Sequence, residues 1–214
     1  MKTKLTFIIL LIYCPFFCFG QKIYTSKYKL LSLTEKSTGD FKSQTESLFF
    51  ENMIYNFESN EKIGYLKNTE TLNDPSVQSN VSGDENIYVN YPNNIVCYKL
   101  DKSDIYTYKN IKFKKYKNSN VVVLGFKTTK YISEDGNIII YTTKNLPWFV
   151  QPCLVNSNQF NESIVKFENR KSKYGFELIE YKIKEKDTDF ENISKVLEKK
   201  NPKFKKTIIC PFFK

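Results

Sequence analysis

The sequence predicts a mainly β protein, an antiparallel sheet followed by a single C-terminal α-helix. Three observations carry that reading. Short apolar runs recur at strand-like spacing from Lys22 to Ile183, separated by Asn-, Asp-, Pro- and Gly-bearing breaks. Near the middle of the chain, Ser133-Glu134-Asp135-Gly136 joins two β-rich runs, and Asp-Gly is a strong hairpin signal because the turn needs a positive φ that glycine supplies freely. Helical periodicity with start and stop signals occurs in one segment, Asp189–Lys200.

Taken in order, Lys22–Leu33 is a first strand, with Tyr24, Tyr28 and Leu30 on one parity. Ser37–Glu46 is polar and turn-like. Ser47–Phe57 is an aromatic-rich strand, and Gly64–Leu66 a short one. Thr69–Asn86 gathers Asn, Asp, Ser and Gly without apolar period, which predicts a mobile surface loop. Ile87–Tyr91, Ile95–Leu100 and Ile105–Tyr108 follow as short strands, and Ile111–Tyr116 alternates apolar and polar residues as a strand with one wet face does. The hairpin pairs Val121–Tyr131 with Asn137–Thr143. Val121–Leu124 and Ile138–Ile140 are unbroken apolar runs, so both of their faces are expected to be covered and the pair is expected near the centre of the sheet.

After Pro147 the pattern breaks, and Trp148–Asn158 reads as an ordered crossing loop. Ser163–Phe167 and Tyr174–Ile183 form a second hairpin. The helix at 189–200 has Thr188 and Glu191 as a capping box, Phe190, Ile193, Val196 and Leu197 along one face, and Asn201-Pro202 as its stop. The tail from Lys203 reads as a final edge strand.

Address comes from the first twenty residues. Lys2 and Lys4 precede the apolar stretch Leu5–Phe19, and Gly20 offers a small residue at a cut before Gln21. That stretch falls short of the roughly 20 apolar residues of a spanning helix. A cleaved signal peptide is therefore expected, leaving a single domain over 21–214, secreted or periplasmic, with no transmembrane span. Cleavage removes two lysines, taking the formal charge from +10 to +8. An anionic partner would be favoured by that charge. Arg170 is the only arginine, whereas readers of phosphate and base edges use the bidentate guanidinium, so nucleic acid is a poor fit.

The chemistry-bearing patterns are sparse. With His at 0, the Ser-His-Asp and Cys-His arrangements are ruled out and zinc loses its commonest nitrogen ligand. No Gly-rich phosphate cradle and no Cys-x-x-Cys spacing occurs. No catalytic residue, metal site or cofactor is assigned, and the protein is expected not to be an enzyme. Cys97, Cys153 and Cys210 permit one disulfide with a leftover thiol, or three buried thiols. Cys153 with Cys210 is the pair favoured, because each sits beside a proline in loop-like sequence. Tyr and Lys interleave in Lys22–Lys29, Tyr106–Tyr116 and Tyr174–Lys182, as expected of sheet faces with rings inward and lysines outward.

Gly125-Phe126-Lys127 with Lys130, followed by Tyr141-Thr142-Thr143-Lys144-Asn145-Leu146-Pro147, resembles the central part of the GLPGLI family of secreted or periplasmic bacterial proteins. Thr128 stands where that family has cysteine, and Trp148–Val155 lacks the glycines of its signature. The resemblance implies a curved sheet similar to the half-barrel carriers of outer-membrane lipoproteins, and it brings no functional residue. The function expected first is binding of an apolar ligand, a lipid or an envelope protein segment on the concave face by Phe126, Ile139, Tyr141, Trp148 and Phe149. The alternative is electrostatic binding of an acidic glycan or nucleic acid through lysine-rich faces.

Overall fold

The computed structural model describes residues 22–33, 53–71, 87–98, 105–108, 111–116, 119–152, 160–184, 188–199 and 205–208. The chain runs β1 (Ile23–Ser32), β2 (Met53–Ser59), β3 (Ile63–Thr71), β4 (Tyr88–Asn90), β5 (Ile95–Cys97), β6 (Ile105–Tyr108), β7 (Phe113–Tyr116), β8 (Val122–Val123), β9 (Phe126–Lys127), β10 (Thr129–Ser133), β11 (Ile138–Thr143), β12 (Ser163–Asn169), β13 (Tyr174–Lys184), α1 (Thr188–Glu198) and β14 (Lys205–Ile208). Twelve strands form one sheet in the order β14-β6-β5-β4-β3-β2-β1-β13-β12-β11-β10-β7, while β8 and β9 pair only with each other. The predicted mainly β class with one C-terminal helix is what the structure has. Every pairing is antiparallel except β14 with β6, because α1 carries the chain back across the sheet and delivers β14 to the far edge alongside β6.

The centre of the sheet is not the Asp-Gly hairpin. β1 and β13 hold the middle, paired antiparallel along their length from Ile23 with Lys184 to Ser32 with Tyr174, and β10 and β11 lie near the opposite edge. The predicted strand Val121–Tyr131 is three strands, with β8 and β9 folded out as a flap. There Val122 is 58% exposed and Leu124 45% exposed, so the apolar run that suggested two-sided cover is a surface feature. The Asp-Gly turn itself is as expected. Gly136 at φ 73° donates to Ser133 O, and Ser133 Oγ accepts from the Ile138 amide at 2.9 Å, fixing the register of β10 on β11. The short strand predicted at Gly64–Leu66 extends from Ile63 to Thr71, so the first residues of the predicted loop belong to β3; residues 72–86 lie outside the described residues.

Alternation divides the sheet into two faces. On the inner face, Tyr28, Phe57, Phe167 and Phe176 are fully buried and pack with Val89, Val96, Ile138 and Ile140 in one apolar cluster. Full burial of each such ring contributes about 1.5–3 kcal/mol. The Tyr28 hydroxyl donates to Ile164 O at 2.9 Å, so its polar end is satisfied inside the core. The loop after β11 closes over this face. Trp148 stacks edge-on against Tyr91 at 5.1 Å, although β4 and β11 stand six places apart in strand order, roughly 29 Å on a flat sheet. The sheet therefore curls, and its edges β14 and β7 do not pair with each other.

On the outer face, α1 covers one patch. Phe190, Ile193 and Leu197 pack on Ile23, Ile63, Tyr65, Tyr88 and Cys97. Val196, assigned to that face from sequence, is 41% exposed and points away. Beside the helix, Glu58 is buried and accepts from Lys67 Nζ at 2.9 Å, Tyr65 Oη at 2.8 Å and Lys184 Nζ at 3.4 Å, tying β2, β3 and β13 together. Burial pushes its carboxyl pKa up, but the hydrogen bonds from Lys67 and Tyr65 and the charges of Lys67 and Lys184 outweigh burial and hold it below the ordinary glutamate value.

Two outcomes follow. Gly175 lies where an added Cβ would sit 2.5 Å from Phe167 O, so Gly175→Ala is expected to lower unfolding free energy in urea by about 1–3 kcal/mol. Because Glu58 has a lowered pKa in the folded state, its contribution is present above the ordinary glutamate value of about 4.3 and lost as pH falls through its folded value. The wild type is expected to lose stability over that acid range more steeply than Glu58→Gln, as read from thermal midpoints at stepped pH.

Candidate functional site

The five residues expected to share a concave binding face are divided between two faces: Phe126, Trp148 and Phe149 all pack against the inner cluster, from different segments, and Ile139 and Tyr141 do not. Trp148 and Phe149 belong to the loop over the inner face, 5.6 Å apart, with Phe149 on Tyr24 at 5.3 Å and Tyr91 Oη donating to Phe149 O at 3.4 Å. Phe126 sits on the flap against Tyr181 at 5.9 Å. Ile139 and Tyr141 alternate with the core residues Ile138 and Ile140 and project from the outer face, where Tyr141 stands opposite Lys130 and Lys166. Period-two alternation separates them from Trp148 and Phe149 whatever the curvature of the sheet. Cys153 and Cys210 lie outside the described residues, and Cys97 is a buried thiol under α1.

The outer face carries an arrangement that sequence reading treated only as alternating surface. Strand register aligns Tyr116, Lys130, Tyr141, Lys166 and Glu177 in one row across β7, β10, β11, β12 and β13. Lys130 Nζ lies 6.0 Å from the Tyr116 ring centre and 5.8 Å from that of Tyr141, and Lys166 Nζ lies 5.8 Å from Tyr141 on its other side. At these distances each ammonium is attracted by the ring faces. Lys166 is also bound to Glu177 at 2.8 Å and Glu168 at 3.7 Å. Burial alone would lower its pKa, but the two carboxylates raise it above the ordinary lysine value. The row runs from a half-buried, charge-compensated Lys166 to an open end at Tyr116, which is 56% exposed.

That open end is strongly basic. Residues 111–144 hold seven lysines against two acids, Glu134 and Asp135, and Lys112, Lys114 and Lys115 are exposed along edge strand β7. The signal was present in the sequence as the Ile111–Tyr116 run. What it lacked was the partner strand that sets Lys130 and Tyr141 beside it.

The flap is a separate construction. Val122–Val123 and Phe126–Lys127 are joined by Leu124-Gly125, both at positive φ (49° and 81°), which is the two-residue type I′ geometry. Asparagine is the usual residue at the first of these positions, and leucine there costs on the order of 1–2 kcal/mol. The base of the flap is pinned by Thr128, whose hydroxyl donates to Val121 O at 2.7 Å with Ser119 Oγ 3.2 Å away. A cysteine in place of Thr128 would be a weaker donor.

A second buried carboxylate, Glu162, accepts from the Thr142 hydroxyl and faces Lys144 at 4.0 Å. It and Glu58 were not singled out from sequence, since isolated acids carry no pattern. They belong to β2 and to the entry of β12, three places apart in strand order, about 14 Å on a flat sheet. Paired catalytic carboxylates stand roughly 5–10 Å apart. Among the described residues no group of three His, Cys, Asp or Glu could hold a metal ion, and no helix is long and apolar enough to cross a membrane.

No family model matches the chain, and no curated protein matches it. Among solved structures it is similar to one of PNGF-II, at 15% identity with a TM-score of 0.48, over 88% of this chain. The chain spans 32% of the length of that protein, about a third.

Proposed function

We propose that this protein is a non-enzymatic binding protein acting outside the cytoplasm, and that its working surface is the basic, aromatic outer edge formed by β7 and β10, which takes an anionic polysaccharide. The observation that carries this reading is the row from Tyr116 through Lys130 to Tyr141, in which lysines are held against ring faces and the last ring and its neighbouring lysines stand open to solvent. A tyrosine face offers an apolar plane to a sugar ring, and the flanking ammonium groups attract carboxylate or sulfate groups over several ångströms. A single arginine in the chain speaks against phosphate and base readout as the main task.

The apolar-ligand reading draws less support. Its candidate residues fall on opposite faces, and the inner face is occupied by the protein's own rings, with Tyr28, Phe57, Phe167 and Phe176 each at 0% exposure.

Retention on immobilised heparin with a salt gradient tests the proposal. The wild type is expected to bind with an affinity that falls steeply with salt, and the double variant Lys114→Gln/Lys130→Gln to reduce the log–log salt slope by about two, one for each lysine. Absence of retention at low salt, an unchanged slope in the double variant, or tighter retention on single-stranded DNA than on heparin would each overturn it.

A further inference from the structure

We propose that the β8–β9 flap and the adjoining end of β13 form a docking surface for an anionic lipid bilayer, with Leu124 and Val122 entering the interfacial layer. Exposed apolar side chains converge here. Val122 and Leu124 are 58% and 45% exposed on the flap, and Ile183 and Tyr181 are 56% and 37% exposed on β13, against which β8 packs. Phe126 bridges the two elements through its contact with Tyr181. This grouping has a physical origin in the sheet. Pairing between β12 and β13 begins at Lys166 with Glu177 and leaves the later part of β13 without β12 beside it, and among the described residues the flap lies against that part.

Leu124 makes the patch more than uncovered sheet. It holds a positive φ that favours asparagine or glycine, and its side chain is exposed, so packing does not account for its presence. A strained backbone that presents an apolar side chain to solvent suits a surface whose partner is itself apolar.

Charge selects the partner. Lys127 stands opposite Val122 in the flap; Lys22 and Lys62 are exposed at the same end of the sheet, where Ile23 pairs with Lys184 and Ser59 with Tyr24. Of the acids at this end, Glu180 is paired with Lys182 and Glu58 with Lys184. Aliphatic tips ringed by lysines match the boundary between acyl chains and anionic headgroups.

The chain as exported, beginning at Gln21, is tested by flotation with phosphatidylcholine vesicles with and without phosphatidylglycerol. It is expected to float with the anionic vesicles and not with the neutral ones. Val122→Thr/Leu124→Asn is expected to weaken binding at least about tenfold, given the apolar area lost. Its thermal midpoint is expected to stay level or rise, since asparagine accepts the positive φ. In Leu124→Trp, the added tryptophan emission shifts to the blue on anionic vesicles. Heparin retention of the flap variant stays at the wild-type value, which separates this surface from the β7 edge. Failure of the wild type to float, undiminished binding by the flap variant, a lowered midpoint in it, an unshifted emission in Leu124→Trp, or a matching loss of heparin retention would each overturn the proposal.

Discussion

The pairing of β1 with β13 is the constraint on which the remaining architecture depends. It joins the first strand of the sheet to the last antiparallel one, and each half of the sheet hangs from it: β2 to β6 and β14 on one side, β12, β11, β10 and β7 on the other. The extra residue at Ile179, where the register shifts between Lys27 and Tyr28, sets a bulge into this central pair. Bulges increase local twist. Here the bulge lies at the level where β12 leaves β13 and where the flap comes to rest. Curl, core and flap thus share one origin in how two distant segments meet.

Much of the fold was legible in the sequence because its signals are local. Alternation in Ile111–Tyr116, the Asp135-Gly136 turn and the periodicity of Phe190, Ile193 and Leu197 each depend on neighbours within a few residues, and each corresponds to an element at nearly the expected place. Strand order was not legible, because nothing in Lys22–Leu33 names Tyr174–Lys184 as its partner. The apolar run Val121–Leu124 misled for a related reason. Two-sided burial and solvent exposure produce the same string of letters, and only the backbone at Leu124 distinguishes them.

The binding face shows the same division. Phe126, Ile139, Tyr141, Trp148 and Phe149 lie close in sequence, yet alternation and a crossing loop send them to different surfaces. Conversely, Tyr116, Lys130, Tyr141 and Lys166 are scattered in sequence and aligned only by register. Tyrosine and lysine abundance, which composition alone leaves uninformative, acquires meaning where the row brings ammonium groups to ring faces and then ends on an open edge.

The position of α1 and β14 bears on the order in which the protein can be completed. Helix α1 covers an outer patch built from β1, β3, β4 and β5, and β14 finishes the edge beside β6, so the segments that shield the first half of the sheet are synthesised after every strand they cover. Until they arrive, Ile23, Ile63 and Tyr88 lack the cover of α1 and β6 lacks its parallel partner β14. Long-range strand closure of this kind is slow compared with local hairpin formation. In a chain with this topology the apolar outer patch of the early strands stays exposed until the C-terminal helix is made, so completion of the sheet and burial of that patch are coupled.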